Sequence, residues 1–182
     1  MTLEELNRLP LEQARAALER CCGSRAWVEG ICAARPWRDR AALLAAAERA
    51  ADALGREGWL EAFAHHPRIG DRAALRAKFA AAPAGGGEPQ RSAASGWARA
   101  EQRVAASASE STLDALAEGN RAYERRFGYI FIVCATGKSA EEMLALLRER
   151  LANDPEVELA NAAREQRAIT RLRLEKLLGE PA

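Results

Sequence analysis

Alanine limits what this chain can fold into more than any other residue does. It fills 42 of 182 positions, whereas Val, Ile, Thr, Tyr, Phe and Trp together supply 23. Alanine has the highest intrinsic helix propensity, and β-branched and aromatic residues are the ones that suit a pleated sheet. A substantial sheet is therefore excluded and an all-α fold is expected. A chain of this length can bury one ordinary core without disulfides or metals. The expected architecture is a single helical-bundle domain over residues 1–182, of roughly eight to ten helices at the usual helix length.

Charge narrows the function classes. Lys+Arg 27 against Asp+Glu 26 leaves +1, so no global basic field exists to hold a nucleic-acid backbone. No apolar run approaches the length of about 18 residues that a membrane span needs. The opening MTLEELNRLP lacks the basic start and apolar stretch of a signal peptide. Cys21, Cys22, Cys32 and Cys134 form no CxxC pair, so reduced thiols in a cytoplasmic protein are expected.

Helix signals are dense. Thr2-Leu3-Glu4-Glu5 and Ser139-Ala140-Glu141-Glu142 fit capping boxes, and Ser111-Thr112-Leu113-Asp114 is a weaker version. Apolar stripes run through Leu43, Ala47, Ala50 and Leu54, through Leu113, Leu116, Asn120, Tyr123 and Phe127, and through Leu144, Leu147 and Leu151. Asp154-Pro155 opens a final helix expected to reach Leu178. Arg35-Pro36 ends a helix, because a proline disfavours the α region for its predecessor. Gly85-Gly86-Gly87-Glu88-Pro89 reads as a flexible loop spanning about 83–90 inside one bundle. One stretch disagrees with its surroundings: Tyr129 to Ala135 is rich in strand formers but has no ladder partner in an all-α fold. It is either a buried extended segment or a helical turn forced by packing, and in the first case its N–H and C=O groups are available to a ligand.

Three features could carry chemistry. The two histidines are adjacent, His65-His66, and His66 precedes Pro67, so the helix through Trp59, Leu60 and Phe63 should stop there. An imidazole at a helix C-terminus is favoured in its protonated form and can exchange a proton near neutral pH. The competing reading is that both rings merely cap the helix carbonyls. Glu101 stands four residues after Trp97 on an apolar face, where a carboxylate is costly unless paired or serving a ligand. Pairing with Arg99 or Arg103 is the alternative. Arg173 lies within the last helix's apolar stripe, where a guanidinium either snorkels to solvent or meets an anion. Neighbouring histidines do not share a metal ion easily, and no HExxH or Cys/His cluster follows, so no metal site is expected. No Ser-His-Asp order, P-loop or GxGxxG is present. The inventory allows a cofactor-free acid/base reaction on an anionic, nitrogen-rich small molecule.

His66-Pro67-Arg68-Ile69-Gly70 resembles the HPxLG-type signature of the 2-oxo-4-hydroxy-4-carboxy-5-ureidoimidazoline (OHCU) decarboxylases. Further landmarks follow in that family's order: Leu6-Asn7, Trp27, Arg35-Pro36-Trp37, Glu101-Gln102, Asn120 to Tyr123 with Arg126-Phe127-Gly128, Arg150 to Asn153, and Ile169 to Leu174. Each is weak alone; the ordered set is specific and spans nearly the whole chain. The resemblance implies an all-helical, dimeric, cofactor-free enzyme that converts OHCU, an anionic ureidoimidazoline, to (S)-allantoin in urate breakdown. It implies that His66 is the catalytic acid, that Glu101 orients or polarises substrate, and that Pro67 shapes the pocket wall. It further implies substrate contacts from Ala98, Arg99, Ala100 and Gln102, backbone contacts from Phe131, Ile132, Val133, Cys134 and Ala135, and an anion-facing Arg173. Two positions depart from the family pattern: Ala98 replaces a serine, and Ile130 replaces the proline of FGFPF. Two other readings stay open at this level. One is a different cofactor-free lyase or hydrolase acting on a ureide-like heterocycle. The other is a non-enzymatic helical module whose apolar stripes serve a partner.

Overall fold

The computed structural model describes residues 1–66 and 96–179, with backbone alone for 96–109. Eight α-helices and no strand occur among the described residues, as the alanine excess demands. They are α1 (Leu3–Arg8), α2 (Leu11–Glu19), α3 (Arg25–Cys32), α4 (Arg40–Asp52), α5 (Arg56–Ala64), α6 (Gly96–Phe127), α7 (Ala140–Arg150) and α8 (Pro155–Leu177). The expected loop at 83–90 lies outside the described residues. None of the described helices is long and apolar enough to cross a membrane.

The capping boxes form as the sequence predicts. Thr2 Oγ1 accepts from the Glu5 amide at 3.1 Å while Glu5 returns a carboxylate oxygen to the Thr2 amide at 2.8 Å. Ser139 and Glu142 do the same at 3.2 and 2.7 Å. Asp154 caps α8 with Pro155 in its first turn. The third expected start is overturned: α6 runs unbroken through Ser111 to Asp114. The stripe of Leu113, Leu116, Asn120, Tyr123 and Phe127 is buried along its length, and helical packing outweighs a serine's weak local preference for a cap. The seam of α7 is also corrected. Ala140, Met143, Leu147 and Arg150 are buried, whereas Leu144 and Leu151 are half-buried.

The chain divides into two units. The first holds α1 to α5, α8 and Ile132–Cys134. Its core is built on Leu6, Leu18, Trp27, Ile31, Leu43, Phe63 and Leu174. The Trp27 indole donates to the Ala47 carbonyl at 3.0 Å, tying α3 to α4. Arg167 of α8 lies over the Trp59 ring at 5.4 Å and pairs with Glu48 at 3.1 Å and Asp52 at 2.7 Å of α4. The second unit contains α6 and α7. Tyr123 is its hub, with the rings of Phe127, Phe131 and Tyr129 at 4.6, 5.2 and 5.8 Å. Arg150 is buried because its guanidinium sits 4.7 Å from the Phe131 ring centre.

Several sequence landmarks are structural. Asn7 donates from Nδ2 to the Trp37 carbonyl at 2.8 Å and accepts the Trp37 amide on Oδ1 at 3.1 Å. Arg35 Nη2 donates to the carbonyls of Leu6, Asn7 and Leu9 at 2.9, 2.8 and 2.8 Å, so a cation satisfies the open carbonyls at the end of α1. The Leu6-Asn7 and Arg35-Pro36-Trp37 motifs are thus two halves of one clamp.

All four cysteines are free thiols. Burial pushes Cys21 from an ordinary 9.0 to about 11, against the opposing pull of Arg173 and Arg20. Burial also raises Cys22 and Cys32.

Two outcomes are expected. Arg35→Ala leaves three helix-end carbonyls without their cation and lowers unfolding free energy in urea by about 2 kcal/mol. Because the Cys21 thiol is raised in the folded state, the unfolded chain ionises first as pH climbs. Stability therefore falls between pH 9 and about 11, by about 2 to 3 kcal/mol from this group. Urea midpoints at pH 8 and 11 should show that part of the loss vanish in Cys21→Ala.

Candidate active site

The helix through Trp59 and Phe63 stops at the histidine pair. Helix α5 ends at Ala64, His65 is its C-cap, and the His66 amide donates to the Phe63 carbonyl at 3.1 Å. Trp59 and Phe63 are buried with their rings stacked at 6.3 Å, which fixes the end of the helix against the core. His65 is exposed and lies directly on the turn after α2. A Cβ at Gly23 would stand 2.0 Å from His65 Cγ, so only glycine permits this approach.

His66 is half-buried and turns its ring to α8. Its Nε2 lies 2.6 Å from Gln166 Oε1. A carbonyl oxygen only accepts, so Nε2 carries the hydrogen of this bond. At its other end the Gln166 amide donates from Nε2 to Thr170 Oγ1 at 3.2 Å. Gln166 is fully buried and Thr170 nearly so. The His66 ring is therefore held by a residue of α8.

Arg173 stands seven residues beyond Gln166 and three beyond Thr170, on the same face of α8 and about 10 Å along its axis. It is half-buried, and its Nη1 donates to the carbonyls of Cys21 at 3.3 Å and Arg20 at 3.5 Å, just past the end of α2. The turn of residues 20–23 thus meets α8 through Arg173, and the end of α5 through His65.

The run from Tyr129 to Ala135 forms neither helix nor strand, with a bend at Tyr129 and irregular backbone after it, so the helical turn open to it does not form. Gly128, at φ +80°, ends α6 and turns the chain into it. Phe131, Ile132 and Val133 are buried, Cys134 and Ala135 half-buried. The Cys134 amide donates to a carboxylate oxygen of Glu165 on α8 at 2.7 Å, a short charge-assisted bond.

Of the expected site residues, the first unit gathers His66, the Ile132–Cys134 stretch and Arg173 on one helix: Glu165 holds Cys134, Gln166 holds His66, and Arg173 follows two turns on. Phe131 belongs to the second unit's aromatic cluster. Ala98, Arg99, Ala100, Glu101 and Gln102 lie on α6, with side chains outside the described residues, and Pro67 lies outside them altogether. Among the described residues no three His, Cys, Asp or Glu side chains are grouped to hold a metal. Gly23, Glu165, Gln166 and Thr170 were not expected. A signal existed for two of them: Leu159, Ala162, Gln166, Thr170 and Leu174 form one buried stripe, and polar residues one turn apart inside it must satisfy each other or something else.

Residues 7–175 match the family model described as OHCU decarboxylase. The chain is 38% identical over 166 residues to the uric acid degradation bifunctional protein TTL of Arabidopsis thaliana, covering 89% of this chain and 46% of that protein. It is 41% identical over 63 residues to the 2-oxo-4-hydroxy-4-carboxy-5-ureidoimidazoline decarboxylase of Amia calva, covering 35% and 36% of the two chains. The chain thus spans about half or less of the length of these curated relatives. A crystal structure of OHCU decarboxylase in the presence of (S)-allantoin superposes with a TM-score of 0.66 at 34% identity, over 89% of this chain and 96% of that one. An (S)-allantoin synthase structure shares the fold, with a TM-score of 0.65 at 18% identity over 98% of this chain and 54% of that one. The ordered motifs, the helical architecture and a family match across residues 7–175 agree: this chain belongs to the OHCU decarboxylase family.

Proposed function

We propose that the chain is a carboxy-lyase that removes CO2 from OHCU and yields (S)-allantoin in urate breakdown. The observation that carries this reading is the His66 imidazole. It is half-buried at a helix end and anchored at 2.6 Å by a buried amide, in the position where the family signature has its histidine.

The substrate contains its own electron acceptor. Its carboxylate sits on a ring carbon that also bears a hydroxyl, next to a C=N group. When the bond to the carboxylate breaks, its electron pair forms a carbon–carbon double bond, and the C=N pair moves onto nitrogen. The resulting enol becomes a carbonyl as a proton is delivered to the ureido-bearing carbon, so one proton is consumed for each CO2 released. No thiamine, pyridoxal or metal is needed to stabilise the charge, and the reading is cofactor-free. The protein's part is orientation, charge stabilisation and one-sided protonation.

In this reading the His66 imidazolium donates that proton and so fixes the S configuration. Glu101 and Gln102 hold the hydroxyl and ring nitrogens, with Ala98, Arg99 and Ala100 completing their side of the pocket and Pro67 its wall. The backbone of Phe131 to Ala135 offers polar groups to the ring. The guanidinium of Arg173, which uses Nη1 on the α2 carbonyls, presents its other edge to the carboxylate. The working form is a cytoplasmic homodimer in which residues 1–182 act as one domain.

The test is the reaction itself. OHCU generated from urate should give chiral allantoin, followed by circular dichroism, faster with the protein than spontaneously. His66→Ala should lower the stereospecific rate by roughly 10²- to 10⁴-fold, the usual worth of a positioned general acid, with its helical spectrum intact. Retention of most of that rate would overturn the role given to His66.

A further inference from the structure

We infer that Glu165 is a positioning residue for the reaction: by holding the Cys134 amide it aims the Val133 carbonyl at an N–H group of the substrate. The inference rests on the reading that the backbone of Phe131 to Ala135 meets the substrate. Its own basis is twofold. The Cys134 amide donates to Glu165 Oε2 on α8 at 2.7 Å, and the Val133 carbonyl accepts no hydrogen bond among the described residues.

A segment that is neither helix nor strand has no ladder to orient its peptide groups, so each is set by the partners it finds individually. Ile132 and Val133 are buried, but apolar burial is non-directional and does not choose which way a peptide plane faces. The bond to Glu165 does choose, and a carboxylate acceptor makes it a charge-assisted hold. The peptide between Val133 and Cys134 is trans and planar. Its N–H and C=O therefore point in opposite directions. Fixing the Cys134 N–H on Glu165 turns the Val133 carbonyl the other way. A buried residue whose carbonyl has no protein partner is uncommon, because that group gives up water without a replacement. OHCU has what the carbonyl lacks: N–H donors on its ureido arm and ring. A carbonyl only accepts, so it selects a donor at that point of the substrate and disfavours an acceptor. The product (S)-allantoin also carries N–H groups on ring and ureido arm, so the contact persists through the loss of CO2. It serves binding rather than the chemical step, and its loss is expected in KM rather than in kcat.

The experiment reads the carbonyl directly. Full-length protein labelled with 13C and 15N is titrated with (S)-allantoin, and the Val133 carbonyl carbon is followed by NMR. The expected wild-type response is the downfield shift of a carbonyl that gains a hydrogen bond, saturating with the ligand. Glu165→Ala should weaken that response and speed hydrogen exchange of the Cys134 amide. It should also raise KM for OHCU by roughly 10-fold, the scale of one hydrogen bond, with kcat within about threefold. Glu165→Gln keeps a carbonyl oxygen for the Cys134 amide and should bring KM back to within about threefold of wild type. A purely structural role would lower the urea midpoint of Glu165→Ala and leave KM where it is, and that result overturns the inference. A wild-type Val133 carbonyl that saturating (S)-allantoin does not move overturns it too, and this arm needs no variant to fold. Failure of the wider reading looks different: the wild type then neither speeds formation of chiral allantoin from OHCU nor binds (S)-allantoin, and the inference falls with it.

Discussion

A fully buried primary amide has to find partners for both its ends inside the protein, and Gln166 is such a group. Leaving either end unsatisfied costs about 1 to 3 kcal/mol. Thr170 takes one end and His66 the other. That single requirement joins the end of α5 to the middle of α8 across 100 residues of sequence. It also explains why α8 is not purely apolar on its core face. Its register places Glu165 against the Cys134 amide and Arg173 against the last carbonyls after α2. One helix therefore gathers three separate parts of the first unit.

The turn of residues 20–23 shows how closely that gathering is fitted. Cys21 and Cys22 are buried and electrically neutral, because burial raises both thiols above their ordinary value despite the nearby Arg173. They behave as small apolar side chains with weak hydrogen-bonding ability. Gly23 has no side chain at all, and the His65 ring occupies that space. The neighbour of His66 is consequently fixed by steric contact while His66 itself is fixed by a hydrogen bond.

Much of the fold is legible from local rules. The capping boxes at Thr2 and Ser139, the Asp154-Pro155 start and the Leu113 to Phe127 stripe each depend on residues within one or two turns, and each forms where the sequence places it. The failures also have local causes. Ser111 carries a capping pattern, but a cap is worth little against the burial of the stripe from Leu113 to Phe127 that follows it. The α7 seam is displaced because Arg150 finds the Phe131 ring, a partner that hydrophobic periodicity does not register. The site is only partly legible. His66 and the odd run from Tyr129 to Ala135 stand out by composition and position, whereas Glu165, Gln166 and Thr170 look like ordinary helix polar residues until their partners are known.

Composition and spacing by themselves determined that this chain is helical, where several of its helices begin, and that its histidines stand at a helix end. These are consequences of propensity, capping and proline sterics, which act over a few residues. The ordered motifs carried the family. Tertiary structure alone decided what those motifs do. Leu6-Asn7 and Arg35-Pro36-Trp37 turn out to be one structural clamp, Gly23 a seat for His65, and Gln166 the partner of His66. Each of these depends on two segments far apart in sequence meeting within hydrogen-bond or van der Waals distance, and no pattern along a single helix encodes that meeting.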